Sequence, residues 1–320
     1  MKRVVFPVLA AGFLLLTACT GSGDAADADA APASGDEPVT LNHPTEQGLE
    51  ISFEQQPQTL VMDCYAYSSL HEYGLEPVAL FGYDCENPFV MGDIDISGIE
   101  LVGLDGEIDM EQVAELQPDA IVGHGSGAGW SWFDDDVNAQ LTQVAPFVPV
   151  SYSETVDDAI AATREIAEFF GGDVTADHVV AAEEDLASAK AAFTEAIAAN
   201  DVTFMLTSPT KEMLYTAVGF AASDLLEDLG ATVVGAPAPE SGNPWGQVAW
   251  EQASTYPADV ILVEGYSEDY AFSAELWDSL PAVQAGQLEA WGSKGAMTAR
   301  AYADWLNVLA AQVDSAEDVA

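Results

Sequence analysis

The chain has very few basic residues. It contains 7 lysines and arginines against 54 aspartates and glutamates in 320 residues, a formal net charge of -47. A surface of this sign repels nucleic acid phosphates and anionic lipid headgroups, so both classes of partner are excluded. Histidine and cysteine are scarce too, with 4 and 3 copies. Hydrophobic residues nevertheless make up 49% of the chain, which is enough for one or two ordinary cores and excludes a disordered protein.

The common catalytic motifs are also missing. Around Gly125-Ser126-Gly127, His124 and Ala128 stand where a nucleophile elbow requires its outer glycines. No phosphate-binding glycine loop follows a predicted strand, and His71-Glu72 lacks the second histidine of a zinc protease motif. We therefore expect no enzyme and no metal site of the chain's own, and a secreted α/β hydrolase is a distant alternative.

The N-terminus predicts export. Lys2 and Arg3 precede the apolar run from Val4 to Leu16, as in a signal peptide covering residues 1–18. The sequence Leu-Thr-Ala before Cys19 resembles a lipobox, in which Cys19 is lipidated; an ordinary cleavage site beside an incidental cysteine is the alternative. Residues 19–40 are rich in Ala, Asp, Gly, Ser and Pro, and predict a flexible tether.

The other two cysteines follow predicted strands. Cys64 comes after the apolar run from Thr59 to Met62, and Cys85 after the run from Val78 to Phe81. If these strands are parallel neighbours, their ends lie close together, and a Cys64–Cys85 disulfide is expected outside the cytosol. Two free buried thiols remain an alternative, and a metal pair a weaker one.

One stretch of the chain occurs twice. Residues 109–122 and residues 249–262 align without a gap, so that Glu111 matches Glu251 and Asp119 matches Asp259. Each copy predicts a short helix followed by a strand. Two copies about 140 positions apart indicate two lobes that are built alike.

Strand and helix patterns alternate before and after one long helical pattern. The alternation predicts an α/β fold of two lobes with parallel-type sheets, over residues 41–153 and 172–320. Between them, residues 154–171 predict a single connecting helix, which Thr155 opens and Gly171-Gly172 ends. In such sheets a ligand lies beyond the carboxyl ends of the strands, here in the cleft between the lobes.

Three strings in the second lobe carry a family resemblance: Trp245–Gln252, Tyr256–Asp259 and Leu280–Gln287. With Tyr73–Val78 in the first lobe, they resemble the substrate-binding lipoproteins of ABC importers for iron-siderophores and cobalamin. The resemblance implies a protein anchored by lipid to the extracytoplasmic face of the cell membrane. Its partners would be a ferric siderophore and an ABC permease dimer with its ATPase. We expect it to be a monomer without a cofactor.

The family's docking glutamates map by position onto Glu111 and Glu251, one for each lobe, where they would pair with arginines of the permease. The alternative is that both glutamates only cap their helices.

Aromatic residues dominate the predicted cleft, which suits a bulky ligand that is bound without chemistry. Trp245 matches a family pocket tryptophan, whereas Tyr67 is as readily explained by ordinary packing. Few cations are available there, which favours a neutral or cationic ferric hydroxamate over an anionic catecholate. A cobalamin, haem or metal receptor that uses His124 is the alternative. The predicted ligand residues are Tyr65, Tyr67, Tyr83, Trp130, Trp132, Tyr215, Trp245, Tyr266 and Arg300.

Overall fold

Two open sheets, each flanked by helices, form the body of the protein. The structure is a computed structural model that describes residues 38–150, 155–240, 243–265 and 275–320. The predicted signal peptide, Cys19 and nearly all of the predicted tether lie outside the described residues. Inside those ranges, no helix is both long and apolar enough to cross a membrane.

The first lobe holds the elements up to residue 150. Its strands are β1 (Val39–Asn42), β2 (Glu50–Phe53), β3 (Leu60–Asp63), β4 (Ala79–Phe81), β5 (Glu100–Leu101), β6 (Ala120–Ser126), β7 (Gly129–Trp130) and β8 (Phe147–Val150). Its helices are α1 (Cys64–Leu70), α2 (Pro88–Met91), α3 (Met110–Glu115) and α4 (Asp135–Val144). A 3-10 turn, His71–Tyr73, extends α1.

Two helices, α5 (Val156–Phe169) and α6 (Asp177–Ala199), lead from the first sheet to the second. The second lobe then has strands β9 (Thr203–Pro209), β10 (Leu214–Thr216), β11 (Thr232–Val233), β12 (Gly246–Val248), β13 (Val260–Glu264) and β14 (Leu288–Trp291). Its helices are α7 (Ala221–Asp228), α8 (Pro281–Ala285) and α9 (Ala299–Ser315), with a 3-10 helix at Trp250–Thr255.

Each sheet is built around four parallel strands in the same arrangement. In the first lobe the order is β4-β3-β6-β8, and in the second it is β11-β9-β13-β14, with every neighbouring pair parallel. The repeated string occupies the same place in both lobes, since α3 leads into β6 and the 3-10 helix leads into β13. The duplication in the sequence therefore corresponds to a duplication in the fold.

The helices between the sheets contact both hydrophobic cores. On α5, Val156 and Ile160 pack in the second-lobe core, while Ile166 and Ala167 pack in the first. On α6, Val179 joins the first-lobe core, and the buried residues from Ala182 to Ala196 join the second. The predicted fold class is confirmed, with the addition that α6 as well as α5 bridges the lobes. The predicted domain bounds remain predictions.

Specific contacts determine several local features of the fold. α1 begins at Cys64, because the Asp63 carboxylate accepts the Ala66 amide at 2.6 Å and caps the helix there. The helix of the second repeat is of 3-10 type. Strand β6 extends through His124 to Ser126, because its end pairs antiparallel with β7.

Cys64 and Cys85 form a disulfide with a Cα–Cα distance of 5.1 Å. Strands β3 and β4 are parallel neighbours, with Asp63 paired to Phe81, so the chain segments that follow them start side by side. The predicted pairing is confirmed, and the alternatives of free thiols and a metal pair are wrong.

Candidate functional site

The two lobes touch each other along one edge of the cleft. The Met297 amide donates to the Ser69 hydroxyl at 3.0 Å across a buried contact. Beside it, the Phe89 ring lies against Gly292, where an added Cβ would be 3.1 Å from the ring carbon Cζ. A side chain at position 292 would therefore push the Phe89 ring away from the second lobe.

A cavity of about 500 Å³ opens on the second-lobe side of this contact. Its size lies in the range typical of small-molecule sites. Trp245 forms its wall, with ring centroids 4.8 Å from Phe220 and 5.7 Å from Trp291. The remaining wall includes Val218, Pro244, Lys294, Met297 and Tyr302. The Tyr215 ring supports Trp245 from 6.5 Å in an edge-to-face arrangement.

Lys294 lies between this cavity and the first lobe. It lines the 500 Å³ cavity and also a narrow gap of about 10 Å³ whose wall includes Tyr65, Ser69 and His124. The Lys294 ammonium pairs with Glu264 at 3.7 Å. In this structure the gap is too small for any ligand larger than a water molecule.

Aromatic side chains of the first lobe pack on one another beside the gap. The Trp132 ring centroid lies 5.5 Å from Tyr65, 5.8 Å from Tyr83 and 5.1 Å from His124. The Tyr65 hydroxyl donates to Asp84 Oδ2 at 2.5 Å, and burial followed by this hydrogen bond raises the pKa of Tyr65. The phenol is therefore a neutral, oriented group at the edge of the cleft.

Beneath this cluster lies a buried carboxylate that the sequence analysis missed. Asp63 is fully buried and accepts hydrogen bonds from the His124 amide at 2.7 Å and the Trp130 indole at 2.6 Å, in addition to its helix cap. Burial raises the pKa of Asp63 from 3.8 to about 6, against the lowering effect of these donors. An aspartate before a predicted helix could have signalled the cap. The contact with Trp130 could not have been read from the sequence.

His124 is a neutral imidazole at neutral pH. Burial first, and then the charge of Lys294, lower the pKa of His124 to about 4. No group of three or more His, Cys, Asp or Glu side chains that could hold a metal ion occurs in the part of the chain that the structure describes.

Of the predicted ligand residues that the structure describes, Trp245 and Tyr65 line these cavities. Tyr83, Trp132 and Tyr215 line none of them and pack in the aromatic clusters around Tyr65 and Trp245.

The remaining three, Tyr67, Trp130 and Arg300, are also absent from the cavity walls. Tyr67 is 2% exposed and lies in the first-lobe core, since it belongs to α1, a helix that is buried on all sides. Trp130 is 1% exposed and packs beneath Tyr83 and Trp132. Arg300 lies on the face of α9 that meets α6, where it pairs with Asp185 at 2.7 Å. Tyr266 lies outside the described residues.

Both predicted docking glutamates are exposed. Glu111 lies in the first turn of α3, and Glu251 in the first turn of the second-lobe 3-10 helix. The cap of α3 is Asp109, whose carboxylate accepts the amides of Glu111 and Gln112. At the second helix, Ala249 occupies the cap position and provides no side-chain bond. Glu111 and Glu251 are thus not the capping residues of their helices.

Residues 96–294 match the family model described as periplasmic binding protein, which is more than half of the chain. The protein belongs to the periplasmic binding protein family. Among curated proteins, none matches the chain.

Solved structures of siderophore-binding proteins share the fold of this family member. It is similar to DesE, a ferric-siderophore receptor protein from Streptomyces coelicolor, with 22% identity, a TM-score of 0.77, and coverage of 88% of this chain and 99% of that one. The siderophore periplasmic binding protein from the fuscachelin gene cluster of Thermobifida fusca has 25% identity and a TM-score of 0.59, covering 81% and 98%. FhuD from Vibrio cholerae, solved with bound Fe3+-Desferal, has 18% identity and a TM-score of 0.63, covering 82% and 99%.

Proposed function

We propose that this protein captures a ferric siderophore between its lobes and delivers it to an ABC permease. The observation that carries the proposal is the 500 Å³ cavity walled by Trp245, Phe220 and Trp291 at the contact between the lobes. A rigid aromatic wall with few polar groups binds a bulky ligand through contact area and does not activate it. Family membership supports the same function, as do the similar structures of two siderophore-binding proteins and of FhuD with bound Fe3+-Desferal.

The charges at the cleft favour a ferric hydroxamate. Among the described residues, Lys294 is the only lysine or arginine that lines a cavity between the lobes, and Glu264 already pairs with it. An anionic ferric catecholate would be desolvated there without a compensating cation. A neutral ferric hydroxamate has no such penalty, and the net charge of -47 attracts a cationic hydroxamate complex over distance.

Delivery is proposed to take place at the extracytoplasmic face of the membrane. Lipidation of Cys19 would hold the protein there, with the membrane contacted through the lipid anchor only. Glu111 and Glu251 would each enter an arginine pocket of the permease dimer, one from each lobe, because an exposed carboxylate can form a charge-assisted pair. The protein acts as a binding protein and performs no catalysis.

Tryptophan fluorescence of the mature protein tests this function against its alternatives. The titrants are ferric desferrioxamine B, a ferric tris-catecholate, cobalamin and haem. We expect saturable quenching by the hydroxamate complex with a dissociation constant in the micromolar range or below, and no turnover of the ligand. Quenching by cobalamin or haem alone would establish a receptor of another class, and hydrolysis of a ligand would establish an enzyme.

A variant of Lys294 tests the preference for hydroxamates. If the ligand carries no negative charge, Lys294→Gln changes the dissociation constant of ferric desferrioxamine B by less than threefold. If wild type binds the catecholate, and Lys294→Gln weakens that binding by tenfold or more, the hydroxamate assignment is wrong.

A further inference from the structure

A second cavity of about 300 Å³ lies between the lobes, next to the first. From the first lobe, Phe89, Met91 and Ile94 line it, and from the second lobe Ala301 and Trp305 line it. Its walls are shared with the 500 Å³ cavity at Ala222, Trp291, Gly292 and Tyr302. The two cavities are therefore direct neighbours, and Trp291 and Tyr302 border both of them.

The wall of this second cavity presents no charge. Its other members are Ser68, Val90, Gly92, Ala290, Gly295 and Ala296. Lys294 lines the neighbouring cavity but not this one. The lining of the 300 Å³ cavity thus lacks a cation, whereas the lining of the 500 Å³ cavity contains Lys294.

Four side chains of this wall carry a polar hydrogen, and each donates it within the protein. The Ser68 hydroxyl donates to Tyr65 O at 2.8 Å, and the Trp291 indole donates to Thr207 O at 3.2 Å. The Trp305 indole donates to Ala290 O at 2.9 Å, and the Tyr302 hydroxyl donates to Met297 Sδ at 3.6 Å. A polar group that entered would lose its water and find these donors engaged, whereas an apolar group gains from burial.

We propose that this 300 Å³ cavity is an apolar subsite that receives an acyl chain or aromatic substituent of the ferric ligand. The inference rests on the proposed function, because it extends the same site and defines the class of siderophore as an amphiphilic one. The cavity is about twice the volume of a dry apolar cavity that accepts benzene, so a medium-length alkyl chain fits it. The iron-binding part of the ligand stays against Trp245 in the larger cavity.

Ala301 offers a way to fill the subsite alone. It lines the 300 Å³ cavity but not its neighbour, and its amide donates to the capping Thr298 hydroxyl, a bond that a larger side chain leaves intact. Ala301→Phe is the test variant, and Ala301→Leu is a smaller replacement should the first fold poorly. Ala311→Phe is the matched control, since Ala311 is exposed on the same helix and lines neither cavity.

The probes are two ferric complexes of desferrioxamine B, acylated at the terminal amine with an acetyl or an octanoyl group. The two complexes carry equal charge and differ only in alkyl length, and burial of two methylene groups already corresponds to about tenfold in affinity. We expect wild type and Ala311→Phe to bind the octanoyl complex at least tenfold more tightly than the acetyl complex. In Ala301→Phe we expect this ratio to fall below two, while the dissociation constant of the acetyl complex stays within twofold of wild type.

The possible failures are distinguishable. Equal affinity of wild type for the two complexes would overturn the apolar subsite and leave siderophore binding intact. A tenfold ratio that persists in both Ala301 variants would place the alkyl chain elsewhere and also overturn the subsite. Binding of neither complex would overturn the proposed function, and the subsite with it.

Discussion

Asp119 and Asp259 make the same two hydrogen bonds in the two lobes. The Asp119 amide donates to Thr59 O and its carboxylate accepts the Thr59 amide, both at 2.8 Å. Asp259 does the same with Thr203, at 2.9 Å in each direction. Each aspartate thereby holds together the starts of two strands that are neighbours in the sheet. These are β3 and β6 in the first lobe, and β9 and β13 in the second.

The two aspartates are expected to differ in their effect on stability. Asp259 is 2% exposed and also accepts the amides of Val319 and Ala320, whereas Asp119 is half-buried. Urea denaturation should show Asp259→Ala lowering the free energy of unfolding by about 3 kcal/mol, and Asp119→Ala by about half of that. Asp228→Ala, an exposed control on α7, should change it by less than about 0.5 kcal/mol. The reverse order for the two repeat aspartates would refute this explanation.

The Cys64–Cys85 disulfide should contribute measurably to stability. It closes a loop with a sequence separation of 21, for which the chain-entropy model gives about 3 kcal/mol. The double variant Cys64→Ala and Cys85→Ala should lose that much free energy of unfolding in urea. Dithiothreitol should destabilise wild type by a similar amount and leave the double variant unchanged. If wild type is insensitive to complete reduction, the disulfide does not stabilise the fold.

The stability of the protein should carry a pH-dependent contribution from Asp63. The raised pKa of about 6 lies above the value of 3.8 for an exposed aspartate, so the folded protein holds this proton at a higher pH than the unfolded chain does. The contribution of Asp63 is therefore fully present below about pH 4 and is lost as the pH rises through about 6.

Asp63→Asn isolates this contribution from those of the other acidic residues. The free energy of unfolding of wild type minus that of the variant should fall by about 3 kcal/mol between about pH 3 and pH 7. A difference that stays constant, or that rises with pH, would mean that the donors from His124 and Trp130 outweigh the effect of burial.

Glu111 and Glu251 should serve transport and not ligand binding. The double variant Glu111→Ala and Glu251→Ala is expected to abolish uptake of the ferric ligand by cells, with the dissociation constant within threefold of wild type, since both carboxylates are exposed. Glu115→Ala with Glu227→Ala removes one exposed carboxylate from a helix of each lobe and should leave uptake unchanged. A loss of affinity in the Glu111 and Glu251 variant would assign these residues to the ligand site.

The duplication was readable from the sequence because it is local. Glu111 and Asp119 have the same spacing as their counterparts Glu251 and Asp259, so the repeat is visible in a short stretch of sequence. The parallel strands are predictable from the apolar runs near these residues. The disulfide was predictable for a similar reason, because both cysteines directly follow such strands.

Contacts between distant segments were not readable in this way. Trp291 ends β14, a strand without an apolar run, and reaches the cavity only because β14 pairs with β13. The sequence predicts Arg300 as a ligand residue, one of few cations in the second lobe, but its helix turns it toward Asp185, 115 positions away. The burial of Asp63 depends on Trp130, 67 positions later in the chain.

The most direct test of the proposed ligand site is isothermal titration calorimetry with ferric desferrioxamine B. The titration compares the wild-type protein with Trp245→Ala. Trp245 forms the wall of the larger cavity, and truncating an aromatic anchor at a binding site weakens binding by more than about tenfold. We predict one ligand per protein with a dissociation constant in the micromolar range or below, and at least tenfold weaker binding by Trp245→Ala. No binding by wild type, or equal affinity in Trp245→Ala, would contradict the account.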